Sequence, residues 1–198
     1  MEAIRSQFAR PHGVLGVLAG ALMARHNRAL NRWAVAQLDV RRGHHVLEVG
    51  FGPGVAVEYL ADLVGDGRVR GIDPSATMLR MARRRNAAAI LAGRVELRLG
   101  ALPDLPYPRH AFDRILAVNP VQLWTDAPSL AALRRVLDPA GLMAVALQPR
   151  DELAHRGAHA VGRHIMARFA GAGFTPVRLD VRSVGRADCL CALAGVRS

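Results

Sequence analysis

Two acidic residues and three glycines carry the clearest chemistry in this chain of 198 residues. Glu48 ends an apolar run, Gly50, Gly52 and Gly54 follow at alternate positions, and Asp73 stands nineteen residues after Gly54 at the end of a second apolar run. Glycines between a strand and a helix let the backbone turn tightly and let a ligand approach it closely. A bound dinucleotide would favour G-x-G-x-x-G, but Val55 follows Gly54, and Glu48 would repel a pyrophosphate. A cationic ligand suits Glu48 better. At Asp73 a carboxylate can accept both hydrogen bonds of a ribose diol. Acid beside a glycine turn and acid at the next strand end fit a ligand with an ammonium, a sulfonium and a ribose but no phosphate. S-adenosylmethionine is such a ligand.

These residues need strands that end together and helices that start beside them. From Val46 onward short apolar runs alternate with longer helical patterns, which predicts βαβ units and a parallel sheet. Strands are expected at 46–49, 69–72, 95–99, 112–118 and 142–147, with helices over 55–64, around Met78–Ala82, over 129–137 and over 158–170. Ser75 is the expected N-cap of the helix carrying Met78, and Gly65 and Gly67 end the helix before it. Two last strands, 177–181 and 189–193, are joined by a short link containing Gly185 and predict an antiparallel hairpin at the sheet edge. The fold expected is α/β, a Rossmann-like, mostly parallel seven-stranded sheet with helices on both faces. A single domain is expected, with residues 1–40 as a separate N-terminal helical region and 41–198 as the cofactor-binding core.

Over roughly Val46–Leu147 the chain resembles the class I S-adenosylmethionine-dependent methyltransferases, in particular the small-molecule group related to the ubiquinone and menaquinone methyltransferases. The segments that carry the likeness are VLEVGFGPG, VRGIDPSATML, LGALPDLPYP, AFDRILAVNPVQLW and RRVLDPAGLMAVAL, in the family's order. The resemblance implies methyl transfer from S-adenosylmethionine to a small-molecule acceptor. It implies that the turn of Gly50, Phe51, Gly52 and Gly54 runs beneath the methionine part, that Glu48 lies near the amino group, and that Asp73, followed by Pro74, holds the ribose. Met78 and the backbone around Ala101 and Leu102 would flank the adenine, and Asn119 to Val121 would line the meeting place of donor and acceptor. Where Ala101 stands, relatives often carry an aspartate that binds the adenine amino group. Adenine recognition here should therefore lean on backbone and apolar contacts.

The acceptor is less legible. The segment from Asn119 to Trp124 shares its Asn-Pro start with the Asn-Pro-Pro-aromatic motif of amino-group methyltransferases, but lacks the second proline and the aromatic. Gln122 and Trp124 are candidates for orienting a polar, planar acceptor, and Trp124 equally suits a loop anchor. His26 and Trp33 are further candidates, from an N-terminal stretch that reads either as a lid over the cofactor or as a basic amphipathic surface for an anionic membrane. His155 and His159 are four apart on an expected helix, with His164 beyond, yet no acidic third ligand has clear spacing and no metal is expected. His26, His44, His45 and His110 are equally ambiguous as general bases. Asp113 reads as a structural strand start.

Composition narrows the alternatives. The net charge is +11, and all 27 basic side chains are arginine in a chain rich in alanine and glycine, which looks like the imprint of a GC-rich genome and weakens a nucleic-acid reading. Cys189 and Cys191 alternate in one apolar run, so they share a strand face and read as reduced core residues, as expected in a cytoplasmic protein. The apolar stretch 13–23 is about half the length of a bilayer span, and no export signal is expected. Methylation of a small molecule is the leading expectation, and of a lipid headgroup at a membrane surface the second. A nucleic-acid methyltransferase or binder would need arginines clustered on one face.

Overall fold

The computed structural model describes residues 27–120, 126–185 and 187–196. In chain order its elements are α1 (Arg28–Gln37), β1 (His45–Val49), α2 (Val55–Leu63), β2 (Arg68–Asp73), α3 (Ala76–Arg85), α4 (Ala87–Leu91), β3 (Val95–Leu99), β4 (Phe112–Val118), α5 (Ala127–Val136), β5 (Leu137–Leu147), a 3-10 turn (Asp151–Arg156), α6 (Ala158–Gly171), β6 (Phe174–Val184) and β7 (Ala187–Val196). The strands form one sheet in the order β3-β2-β1-β4-β5-β7-β6. The first five pair in parallel, while β7 runs antiparallel between β5 and β6.

Both faces of this sheet are covered, which is why its central strands are apolar at nearly every position rather than at alternate ones. All five residues of Met143–Leu147 are buried. Alternation sends them to two cores. Leu47, Ile115, Met143 and Val145 pack with Leu133 of α5 and Ile165 and Phe169 of α6. Val46, Leu116, Ala144 and Ala146 pack with Trp33 of α1, Leu60 of α2 and Ala82 of α3.

The expected strands and helices are present, with different ends. β5 starts at Leu137 rather than residue 142, directly after α5, and β6 extends on both sides of 177–181. The short helix α4 had no signal in the sequence, because it buries none of its five residues and so shows no apolar periodicity. α1 does not stand apart. It sets Leu30, Trp33, Ala34 and Val35 into the second core, against α2, β4 and β5. Of residues 1–40, read as a lid or as a membrane surface, 1–26 lie outside the described residues, and no described helix is long and apolar enough to cross a membrane.

His155 and His159 do not share a helix. His155 is in the 3-10 turn, and Gly157, at φ 73°, separates it from α6. Among the described residues no three His, Cys, Asp or Glu side chains gather as a metal site would require. Cys189 and Cys191 are free and buried on one face of β7. Asp113 anchors the base of the sheet, its carboxylate accepting the His45 backbone N–H at 2.8 Å.

Candidate active site

The chain leaves β1 to build β2 and β3 on one side, then returns to build β4 and β5 on the other. That reversal opens a crevice outside the carboxyl ends of β1 and β4, where open α/β sheets bind ligands. The glycine turn lies there. Gly50, Gly52 and Gly54 all have positive φ, at 74°, 51° and 79°, but for different reasons. A Cβ built on Gly50 or Gly52 would meet nothing within 4 Å, so their outer side is open space. On Gly54 it would lie 2.6 Å from Asn86 Nδ2 and 2.8 Å from Ala82 Cβ, because the start of α2 is pressed against the end of α3.

Phe51 does not face the crevice. Its ring is buried in the second core against β2, where only a glycine at position 71 leaves room: a Cβ there would be 2.7 Å from the Phe51 ring. The contact expected of Phe51 is therefore limited to its backbone. Arg85 donates to the Pro53 carbonyl at 3.0 Å, and Asn86 donates to the Gly54 carbonyl at 3.1 Å. These two residues, unremarked in the sequence, hold the turn from 32 positions away.

Asp73 closes the loop onto β2. Its carboxylate accepts the Gly52 N–H at 2.9 Å and the Ser75 N–H at 2.8 Å, one on each oxygen. Each oxygen keeps a lone pair for a further donor. Burial raises the Asp73 carboxyl above its ordinary range, opposed by those two hydrogen bonds. Ser75 caps α3 as expected, accepting the Met78 N–H at 3.3 Å. Pro74 is exposed beside it, and Met78 is buried under the first turn of α3.

Glu48 is fully buried, and its Oε2 has no hydrogen-bond partner. Burial, reinforced by the charge of Asp73, pushes its carboxyl well above the usual carboxylate range. Among the described residues no basic side chain offsets either acid. Two buried acids beside an open glycine turn are complementary to a cation, and the spare lone pairs of Asp73 to a diol. The donor and acceptor set thus fits S-adenosylmethionine.

On the β3 side, the Gly100 N–H donates to the Asp73 carbonyl at 3.1 Å. This brings half-buried Ala101 and Leu102 to the rim next to Asp73. On the other side Asn119 follows β4 with φ 49°, an uncommon conformation for a residue with a side chain. Its Oδ1 accepts the Gln148 backbone N–H at 2.9 Å and ties the end of β4 to the end of β5. Trp33, a candidate acceptor contact, is 4% exposed in the core, with the Arg182 guanidinium 4.8 Å above its ring. It is a packing residue. His26, Gln122 and Trp124 lie outside the described residues.

Fold and crevice thus define a Rossmann-like domain built for a nucleoside cofactor. Residues 46–141 match the family model described as a methyltransferase domain. The chain is 32% identical over 180 residues to the uncharacterized methyltransferase YdaC of Bacillus subtilis, covering 90% of this chain and 97% of that one. It is 36% identical over 113 residues to a demethylmenaquinone methyltransferase of Symbiobacterium thermophilum, of which it spans 45%. A SAM-dependent methyltransferase from Aquifex aeolicus has the same fold, with a TM-score of 0.69 at 23% identity over 85% of this chain and 91% of that one. The chain belongs to the class I S-adenosylmethionine-dependent methyltransferases.

Proposed function

We propose that the protein methylates a small-molecule acceptor in the cytoplasm, holding S-adenosylmethionine between Glu48, the glycine turn and Asp73. The orphaned, buried Oε2 of Glu48, with the charge of Asp73 acting on it and no cation near it among the described residues, carries this reading. When bound, the cofactor supplies a methyl carbon made electrophilic by its sulfonium. Gly50 and Gly52 leave space for the methionine part, and Glu48 receives its ammonium. Asp73 takes the ribose hydroxyls while its two backbone hydrogen bonds keep the carboxylate aimed. Asn119, at the end of β4, borders the place where an acceptor atom would stand in line with the breaking carbon–sulfur bond. No protein nucleophile is required, because the chain's task is orientation and exclusion of water. The relatives' names, a demethylmenaquinone methyltransferase among them, support a small-molecule acceptor.

The test is calorimetric titration with S-adenosylmethionine, S-adenosylhomocysteine and NAD, on the native protein and on Asp73→Ala. The first two should bind and NAD should not, with affinity falling about 100-fold in the variant, as expected when charge-assisted hydrogen bonds to two hydroxyls are lost. Preference for NAD, or no binding of either sulfur compound, would overturn the cofactor assignment.

A further inference from the structure

We infer that Arg135 is a positioning residue for cofactor binding, acting on the adenine through the loop between β3 and β4. This rests on the cofactor reading above. With the methionine part at the β1 turn and the ribose on Asp73 at the end of β2, the base attached to the far side of the ribose falls beyond β2, against the loop that follows β3. That loop, residues 100–111, contains no helix or strand and includes Pro103, Pro106 and Pro108, none of which donates a hydrogen bond. One internal bond, from the Leu105 N–H to the Pro103 carbonyl at 2.9 Å, sets a local turn; the rest of its shape comes from elsewhere.

Arg135, in the last turn of α5, supplies it. Its guanidinium donates to the Tyr107 carbonyl at 2.6 Å and to the Leu105 carbonyl at 2.9 Å. Its own carbonyl accepts the His110 N–H at 3.1 Å. The loop is thereby held at three points by one residue of another element. Leu105 and the Tyr107 ring are buried beneath it, the ring meeting Phe112 edge-on at 4.9 Å between centroids. Among the described residues Arg135 makes no ion pair, so its fork is given to these carbonyls. A planar guanidinium can hold two diverging acceptors at fixed angles where an ammonium cannot. Because Ala101 offers the adenine no side-chain partner, recognition of the base depends on the backbone that Arg135 fixes.

The test measures three ligands on the native chain, Arg135→Met and Arg135→Lys. S-adenosylhomocysteine carries both ends, methylthioadenosine lacks the amino acid, and S-ribosylhomocysteine lacks the adenine. In Arg135→Met the two adenine-bearing ligands should bind about tenfold more weakly, a fraction of the free energy of the two lost charge-assisted hydrogen bonds because these hold the loop and not the ligand, while S-ribosylhomocysteine changes by less than about twofold. Arg135→Lys should fall between, and it carries the test alone if the methionine variant does not fold. Equal weakening of all three ligands would show that Arg135 only stabilises the fold, and unchanged binding would show that the loop needs no clamp. Either overturns the inference. Failure of the native protein to bind any adenine-bearing ligand overturns the cofactor reading itself.

Discussion

Two loops border the proposed cofactor, and they are held in opposite ways. The glycine turn after β1 is short, and its place is set by contact: α3 is pressed so close to Gly54 that no side chain fits between them. The loop after β3 spans twelve residues and is set by polar attachment, with Arg135 gripping two of its carbonyls from α5. Each is served by residues near the end of a helix that are distant in the chain, Arg85 and Asn86 for one and Arg135 for the other. What differs is the tolerance. A steric seat fails through loss of stability, whereas a polar clamp fails through loss of ligand geometry while the fold survives.

The largest effect should come from breaking the steric seat. Gly54→Ala would place its Cβ 2.6 to 2.9 Å from Asn86 and Ala82 in a backbone at φ 79°, costing roughly 2–5 kcal/mol from overpacking and left-handed strain together. Gly50→Ala and Gly52→Ala meet open space and should cost only the strain, about 1–2 kcal/mol, yet they should weaken cofactor binding by filling its path. Denaturant unfolding and calorimetric titration of the three variants would separate the two roles. Equal losses of stability at all three positions would contradict the contrast.

The next effect in size concerns how the turn is gripped. Asn86→Ala removes the hydrogen bonds to the Gly54 and Ala82 carbonyls, at 3.1 and 2.9 Å, and leaves the Gly54 carbonyl only the longer bond from the Glu58 N–H at 3.3 Å. A loss of about 2 kcal/mol in denaturant unfolding is expected, larger than for Arg85→Met, whose Pro53 contact is only half-buried.

Much of one loop was legible in the sequence and little of the other. Glu48, the three glycines, Asp73 and Ser75 lie within 28 residues, and their types state their needs: freedom of φ, a capping hydroxyl, a carboxylate at a strand end. Alternation of apolar runs placed every strand, most clearly the central ones, where burial on both faces leaves few polar positions to confuse the pattern. Phe51 misled because a residue inside a binding turn can still turn its ring into the core, an outcome that depends on Gly71 of the neighbouring strand. Trp33 misled because an aromatic residue in a segment of mixed polarity suits a pocket and a core equally. Arg135 gave no signal at all: one arginine among 27 cationic residues is conspicuous only once 28 and 30 residues of intervening chain are folded.

A smaller shift tests the electrostatics under the glycine turn. Burial and the charge of Asp73 raise the Glu48 carboxyl, so the folded state holds a proton that the unfolded chain has already released. Stability from this group is full below the ordinary glutamate range and is lost as pH rises through the raised value. Glu48→Gln should therefore flatten the fall in stability with rising pH and make the ligand-free protein roughly 1 kcal/mol more stable at neutral pH, the amide's own burial offsetting part of the gain. The same variant should bind S-adenosylmethionine less tightly, since the amide cannot give up a proton to become the anion that an arriving ammonium would draw out of Glu48. A pH series of unfolding curves and one titration would show both, and a variant that gains stability and keeps full affinity would remove Glu48 from the site.

The smallest expected change would make the two loops more alike. Ala101 is half-buried at the rim of the β3 loop, where relatives resembling this chain often carry an aspartate. Ala101→Asp would add an acceptor for the adenine amino group at a position still open to solvent, worth about 0.5–1 kcal/mol, or a two- to fivefold gain in affinity. Added negative charge alone would also favour a cationic ligand, so the gain needs a control. Ala101→Asn keeps an acceptor without the charge, and a ligand whose adenine amino group is dimethylated keeps the charge interaction without the donor. If the hydrogen bond is responsible, Asn retains part of the gain and the dimethylated ligand loses it in both variants. If charge is responsible, Asn gains nothing, and the dimethylated ligand still binds the Asp variant better than the native protein. No gain in either variant would mean that Arg135 holds the loop where position 101 cannot reach the base, and that the native backbone contacts are sufficient without it.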